Sequence, residues 1–135
     1  MSEWPAGIIR IALIEPEARG VARVKELVKA GGIPAEVADA MSAETPHLES
    51  AEIILLGLHG FDEPERTAIA RLHAGFPDAP LIVLLHPGAA SRAGEAVRLG
   101  AQYAILNEEL TPAKLSSLVR YYADYARDRP DPATA

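Results

Sequence analysis

The 135-residue chain has the length of one ordinary domain, and with 49% hydrophobic and 24% charged residues it reads as globular rather than disordered. It has no cysteine, which excludes a disulfide framework and a thiolate metal site, and its net charge of -6 argues against a nucleic-acid partner, whose phosphates need a basic face. No apolar run approaches the roughly 20 residues that span a bilayer, and the opening Met1-Ser2-Glu3-Trp4-Pro5 lacks the basic and apolar regions of a secretion signal, so the expectation is a cytoplasmic protein without a membrane partner.

Residues 1–7 read as an N-terminal extension. Ile8 to Ile14 is a short apolar run rich in Ile and Leu, the pattern of a strand buried on both faces. Val21, Val24, Leu27 and Val28 then share one face of a helix, which Gly31-Gly32 stops. A weaker strand is expected at Ala35 to Ala38 and a strong one at Ile53 to Leu56. Between these two, Met41 to Ser50 offers Thr45-Pro46 room for only about a turn and a half of helix, so that crossover is expected to be short or irregular.

A further helix has Asp62 as its N-cap, Ile69 and Leu72 on its apolar face and Gly75 near its end. Leu81 to Leu85 reads as a strand, about Ala89 to Leu99 as a helix closed by Gly100, and Tyr103 to Leu106 as a weaker strand. The last helix opens on Thr111-Pro112, an N-cap followed by proline at the first helical position. Its apolar face is Leu115, Leu118, Val119 and Tyr122, continuing to Tyr125, and residues 128–135, with Pro130 and Pro132, read as a disordered tail or linker. Strands that alternate with helices in this way form βαβ units and close into a doubly wound parallel sheet.

The most specific stretch, Ala96-Val97-Arg98-Leu99-Gly100-Ala101-Gln102, is similar to the A-x-x-x-G-A segment before the fifth strand of response-regulator receiver domains. Pro80-Leu81-Ile82-Val83-Leu84 resembles their fourth strand, and Leu13-Ile14-Glu15 the end of their first, where the acidic residues begin. Leu118-Val119-Arg120-Tyr121 resembles last helices that lead into another signalling domain. The resemblance covers about residues 8–127 as one domain. It implies an α/β flavodoxin-like fold with a five-stranded parallel sheet of order 2-1-3-4-5, and a non-enzymatic role in two-component or related signal transduction.

A working receiver needs a carboxylate nucleophile at the end of its third strand and acidic residues after the first to hold Mg²⁺. It also needs a hydroxyl after the fourth strand and a lysine after the fifth. Here the nucleophile position is Gly57, the acidic pair is Glu15-Pro16, the hydroxyl position is Leu85 and the lysine position is Asn107. The switch aromatic position is Ala104, beside Tyr103. Glycine has no nucleophile, so the resemblance implies a pseudo-receiver that uses no cofactor and acts through contact with a signalling protein. In receivers the fourth helix, fifth strand and fifth helix form the usual homodimer face. By that resemblance Tyr103, Tyr121 and Tyr125 are the interface candidates.

Ligands of a doubly wound sheet bind at the carboxyl ends of its strands. Glu15 and Glu17 after the first strand, His59 after the third and His86 after the fourth are expected to converge there. Two imidazoles and two carboxylates suit Zn²⁺, which gives the alternative reading of a metal- or small-molecule-sensing domain. Their spacing matches no compact metal motif, and the plainer reading leaves all four side chains solvated. His73, beside Leu72, reads as surface or boundary, and His47 lies in the irregular crossover. Gly57-Leu58-His59-Gly60 and His86-Pro87-Gly88 lack the lysine and spacing of a phosphate loop, and Ser42 and Ser91 lack the setting of a catalytic serine.

Overall fold

The computed structural model describes residues 8–40 and 48–128, with side chains as far as Asp124. The expected N-terminal extension, His47, the greater part of the Met41 to Ser50 crossover, the Tyr125 side chain and residues 129–135 of the expected tail lie outside the described residues.

The chain runs β1 (Ile9–Ile14), α1 (Ala18–Ala30), β2 (Ala35–Asp39), β3 (Ile53–Leu58), α2 (Glu63–Gly75), β4 (Leu81–Leu85), α3 (Ala93–Leu99), β5 (Tyr103–Leu106) and α4 (Pro112–Asp128). Every residue of β3 and β4 is buried. Strands with no polar face can sit only between two helical layers, and they take the middle of the sheet. β2 and β5, whose residues are mostly half-buried or exposed, take the edges, in the order β2-β1-β3-β4-β5 with every pair parallel. This is the flavodoxin-like order, in which the chain returns from β2 past β1 to β3 and leaves a crevice at the carboxyl ends of β1 and β3.

Two apolar layers enclose the sheet. On one side Ile11, Leu13, Leu55 and Leu84 pack with Val24 and Val28 of α1 and with Leu115 and Val119 of α4. On the other, Ile54, Leu56 and Val83 pack with Ile69 and Leu72 of α2 and Ala96 of α3. Leu48, at the end of the crossover, is 1% exposed and belongs to this second layer. Among the described residues no helix is long and apolar enough to cross a membrane.

The helix ends follow the expected local chemistry. Glu65 reaches back to accept a hydrogen bond from the Asp62 backbone N–H at 2.8 Å, and Thr111 Oγ1 accepts one from the Lys114 N–H at 3.1 Å. Gly100 closes α3 at φ +130°, a conformation an L side chain rarely adopts. Two boundaries differ from the sequence reading by more than one residue. β3 runs on to Leu58, because Gly57 and Leu58 still pair with Leu84 and Leu85 of β4. The helix expected from Ala89 begins only at Ala93: Pro87–Ala89 forms a single 3₁₀ turn, where Gly88 is held against the main chain of His59.

One long-range tie fixes the loop after β5. Arg23 of α1 donates from Nη1 to the Asn107 carbonyl at 3.0 Å and from Nη2 to the Leu110 carbonyl at 3.1 Å. The planar fork of a guanidinium suits two carbonyls held side by side, and it satisfies backbone oxygens at the turn into α4.

Candidate functional site

Glu15 is the first residue after β1, and its side chain is 2% exposed. Burying a carboxylate costs several kcal/mol unless hydrogen bonds replace its water. Here they do. His59 Nε2 lies 2.8 Å from Oε2, His86 Nε2 lies 2.9 Å from Oε1, and the Glu17 backbone N–H donates to Oε2 at 2.8 Å. A carboxylate only accepts, so each imidazole donates from Nε2.

Glycines make the room. A β-carbon on Gly57 of β3 would overlap Glu15 Oε1, and one on Gly20 of α1 would come within 2.7 Å of Glu15 Cδ. The Glu15 carboxylate therefore lies where a side chain at position 57 would begin. The third glycine, Gly88, lets the loop after β4 pack on the His59 carbonyl, where a β-carbon would collide.

The two histidines come from adjacent strands. His59 follows Leu58 and His86 follows Leu85, and those residues are paired in the β3–β4 register. Their rings stack with centroids 3.7 Å apart at 17°. The His59 side chain is 30% exposed and that of His86 14%, so the cluster opens toward solvent past His59. Glu17 is mostly solvent-facing, and its Oε1 sits 3.0 Å from the other nitrogen of His59, Nδ1.

All four residues named from the sequence thus converge, in two ranks. Glu15, His59 and His86 present ligand atoms within 4.8 Å of one another, whereas Glu17 approaches from the far side of His59. Solvation does not describe Glu15, which is buried. His73 is exposed on α2 and packs against Gly100, away from this cluster.

The other positions singled out in the sequence by the resemblance lie as follows. Leu85 is 2% exposed, and Pro16 is solvent-facing. Asn107 opens a 3₁₀ turn and offers its carbonyl to Arg23. Ala104 lines a hollow of about 210 Å³ with Leu85, Ala93, Tyr103 and Lys114.

No family model matches the sequence, and no curated protein matches it. Solved structures do match. A response-regulator receiver domain protein of Clostridium thermocellum is similar over 88% of this chain and 97% of its own, with a TM-score of 0.70 at 20% identity. A Burkholderia pseudomallei protein described as pilus assembly-related reaches a TM-score of 0.75 at 19% identity, over 92% of this chain and 96% of its own. An atypical orphan response regulator, described as having a phosphorylation-independent regulatory mechanism, reaches 0.64 at 13% identity over 87% and 97% of the two chains. The fold is that of a receiver domain.

On that receiver fold, the face made by α3, β5 and α4 carries the interface candidates. Tyr121 is 64% exposed and meets Tyr122 edge-on, with centroids 4.9 Å apart at 88°. Tyr122, half-buried against the core, lies 6.4 Å from Tyr103 of β5, so three aromatic rings run from the sheet edge to the outer surface of α4. Val97 of α3 is also exposed.

The sequence reading missed the burial of Glu15, the space made for it by Gly20 and Gly57, and the close packing of Gly88 on the His59 main chain. The signal was present in the glycines themselves, since each stands where a strand end or helix start borders the crevice.

Proposed function

We propose that this chain is a receiver-like signalling domain that acts through protein contact without accepting a phosphoryl group. The observation that carries this reading is the Glu15 carboxylate seated in the space that a side chain at position 57 would occupy. Phosphoryl transfer to a receiver needs a nucleophile there, together with room for a metal ion and three phosphoryl oxygens. This site instead has no nucleophile at position 57, the Glu15 side chain in the space where one would begin, a leucine in place of the hydroxyl and an asparagine in place of the ammonium. A phosphorylation-independent mechanism is described for one structure of the same fold, which supports the reading.

The contact surface is the α3–β5–α4 face, with Tyr121, Tyr103 and Val97 as apolar anchors and a second copy of the chain as the first partner to test. Exposed aromatic residues are the usual high-energy contacts of such interfaces. In sedimentation velocity the chain is expected to show a concentration-dependent dimer. Tyr121→Arg is expected to weaken that dimer by about tenfold or more, roughly 1.4 kcal/mol, with no loss of folding because the residue is exposed. A chain that stays monomeric at high concentration, and binds none of the signalling proteins encoded beside it, contradicts the reading.

A further inference from the structure

We propose that Glu15, His59 and His86 form a binding site for a borderline transition-metal dication such as Zn²⁺, with Glu17 as the outer partner that orients His59. The site goes beyond the docking reading and does not rest on it. The dimer test at Tyr121 and a metal test at His86 succeed or fail separately.

The ligand set comes first. Two imidazole Nε2 atoms and a carboxylate oxygen, mutually within 4.8 Å, are three protein ligands of the kind that hold zinc while leaving one position open. The open position has an outlet, since the His59 side chain is 30% exposed. The donors also select the ion. Mg²⁺ prefers an all-oxygen, largely hydrated octahedron, whereas two imidazoles favour zinc, cobalt or nickel.

The second argument is Glu17. A metal-bound histidine donates its other ring N–H to a carboxylate or carbonyl, which fixes its tautomer and raises its basicity. Glu17 Oε1 stands 3.0 Å from His59 Nδ1, where that acceptor belongs. The glycines hold the ligands in place, because Gly57 and Gly20 let the Glu15 side chain pack inward and Gly88 lets the loop after β4 close on the His59 main chain.

Metal entry has a stated geometric consequence. The rings now stack at 3.7 Å. One ion bound near-tetrahedrally by both Nε2 atoms at zinc–nitrogen distances sets the ring centres roughly 5 Å apart. The rings must therefore open by about an ångström, and the metal takes the place of the proton on each Nε2, which leaves to solvent while Nδ1 carries the ring's remaining N–H. Both residues lie just past strand ends, where such a movement leaves the sheet intact.

The test uses the full chain after treatment with a chelator. Calorimetry with Zn²⁺ is expected to show one ion per chain in the micromolar range or tighter. Co²⁺ is expected to give the visible absorption bands of a four-coordinate site, with millimolar Mg²⁺ failing to compete. His59→Ala and His86→Ala should each weaken binding by more than the roughly hundredfold that loss of an outer partner can cost, and Glu17→Gln by about ten- to a hundredfold. His73→Ala should leave it unchanged. Since Glu15→Gln leaves a buried amide in a carboxylate's place, the two histidine variants carry the test, with circular dichroism showing that they fold. No saturable Zn²⁺ binding, or binding that survives both His59→Ala and His86→Ala, overturns the proposal.

Discussion

Gly57→Asp, which supplies the carboxylate that receiver chemistry needs, is expected to destabilise the fold by about 3–5 kcal/mol rather than to create a phosphorylation site. The new β-carbon would overlap Glu15 Oε1, and two carboxylates would then compete for one dry space and one set of donors. Glu15 has a flexible side chain and can swing away, but in doing so it abandons His59, His86 and the Glu17 backbone N–H. Whichever carboxylate keeps the donors, the other is left charged and unpaired, which is the expensive outcome for a buried ion. Glu15→Ala removes the competitor, so the double variant should be more stable than the sum of the single changes, by more than about 1 kcal/mol of coupling. Urea unfolding of the four proteins in the cycle checks this. Additive effects would mean that Glu15 does not hold the space at Gly57.

Gly88→Ala is expected to cost about 2–3 kcal/mol, the scale of an overpacked core. Here the obstacle is a main-chain atom. A β-carbon at Gly88 would overlap the His59 carbonyl oxygen, with the carbonyl carbon 3.2 Å away and Gly60 Cα at 3.9 Å. No rotamer change relieves that, so the loops after β3 and β4 must move apart and the stacked imidazoles with them. Gly60→Ala is the matched control. It lies in the same loop with nothing within 4 Å of its added carbon, and it should change stability by less than about 0.5 kcal/mol. Thermal melts of the two variants separate the predictions directly. Equal effects would show that the close approach of the two loops is not what Gly88 provides.

How far the sequence disclosed this arrangement depends on which physical signal each part leaves. β3 and β4 were legible because a strand covered on both faces must be apolar throughout, and Ile53 to Leu56 and Leu81 to Leu85 are. The inner faces of α1 and α4 were legible through helical spacing at Val21, Val24 and Val28 and at Leu115, Leu118 and Val119. The late start of α3 was not. Pro87 and Ala89 suit a helix start by propensity, whereas the contact of Gly88 with the His59 main chain is a tertiary fact.

At the site, the rule that ligands gather at strand carboxyl ends brings Glu15, Glu17, His59 and His86 together from the sequence alone. It could not say which carboxylate turns inward. Glu15 does so because glycine stands opposite it at positions 57 and 20, and Glu17, two residues later, faces the outer nitrogen of His59. Gly57 thus has two meanings. The sequence conveys a missing nucleophile, and the structure adds the space that another acidic residue fills.

The most direct test of the central claim is a two-dimensional amide NMR titration with Mg²⁺ and beryllofluoride, the mimic of aspartyl phosphate. With Glu15 seated opposite Gly57 and no hydroxyl or ammonium at Leu85 and Asn107, the account predicts no saturable shift at Glu15, Gly57, His86 or Asn107 beyond the effect of Mg²⁺ alone. Saturable shifts centred on Gly57 and Asn107 would show a working phosphoryl pocket and contradict it.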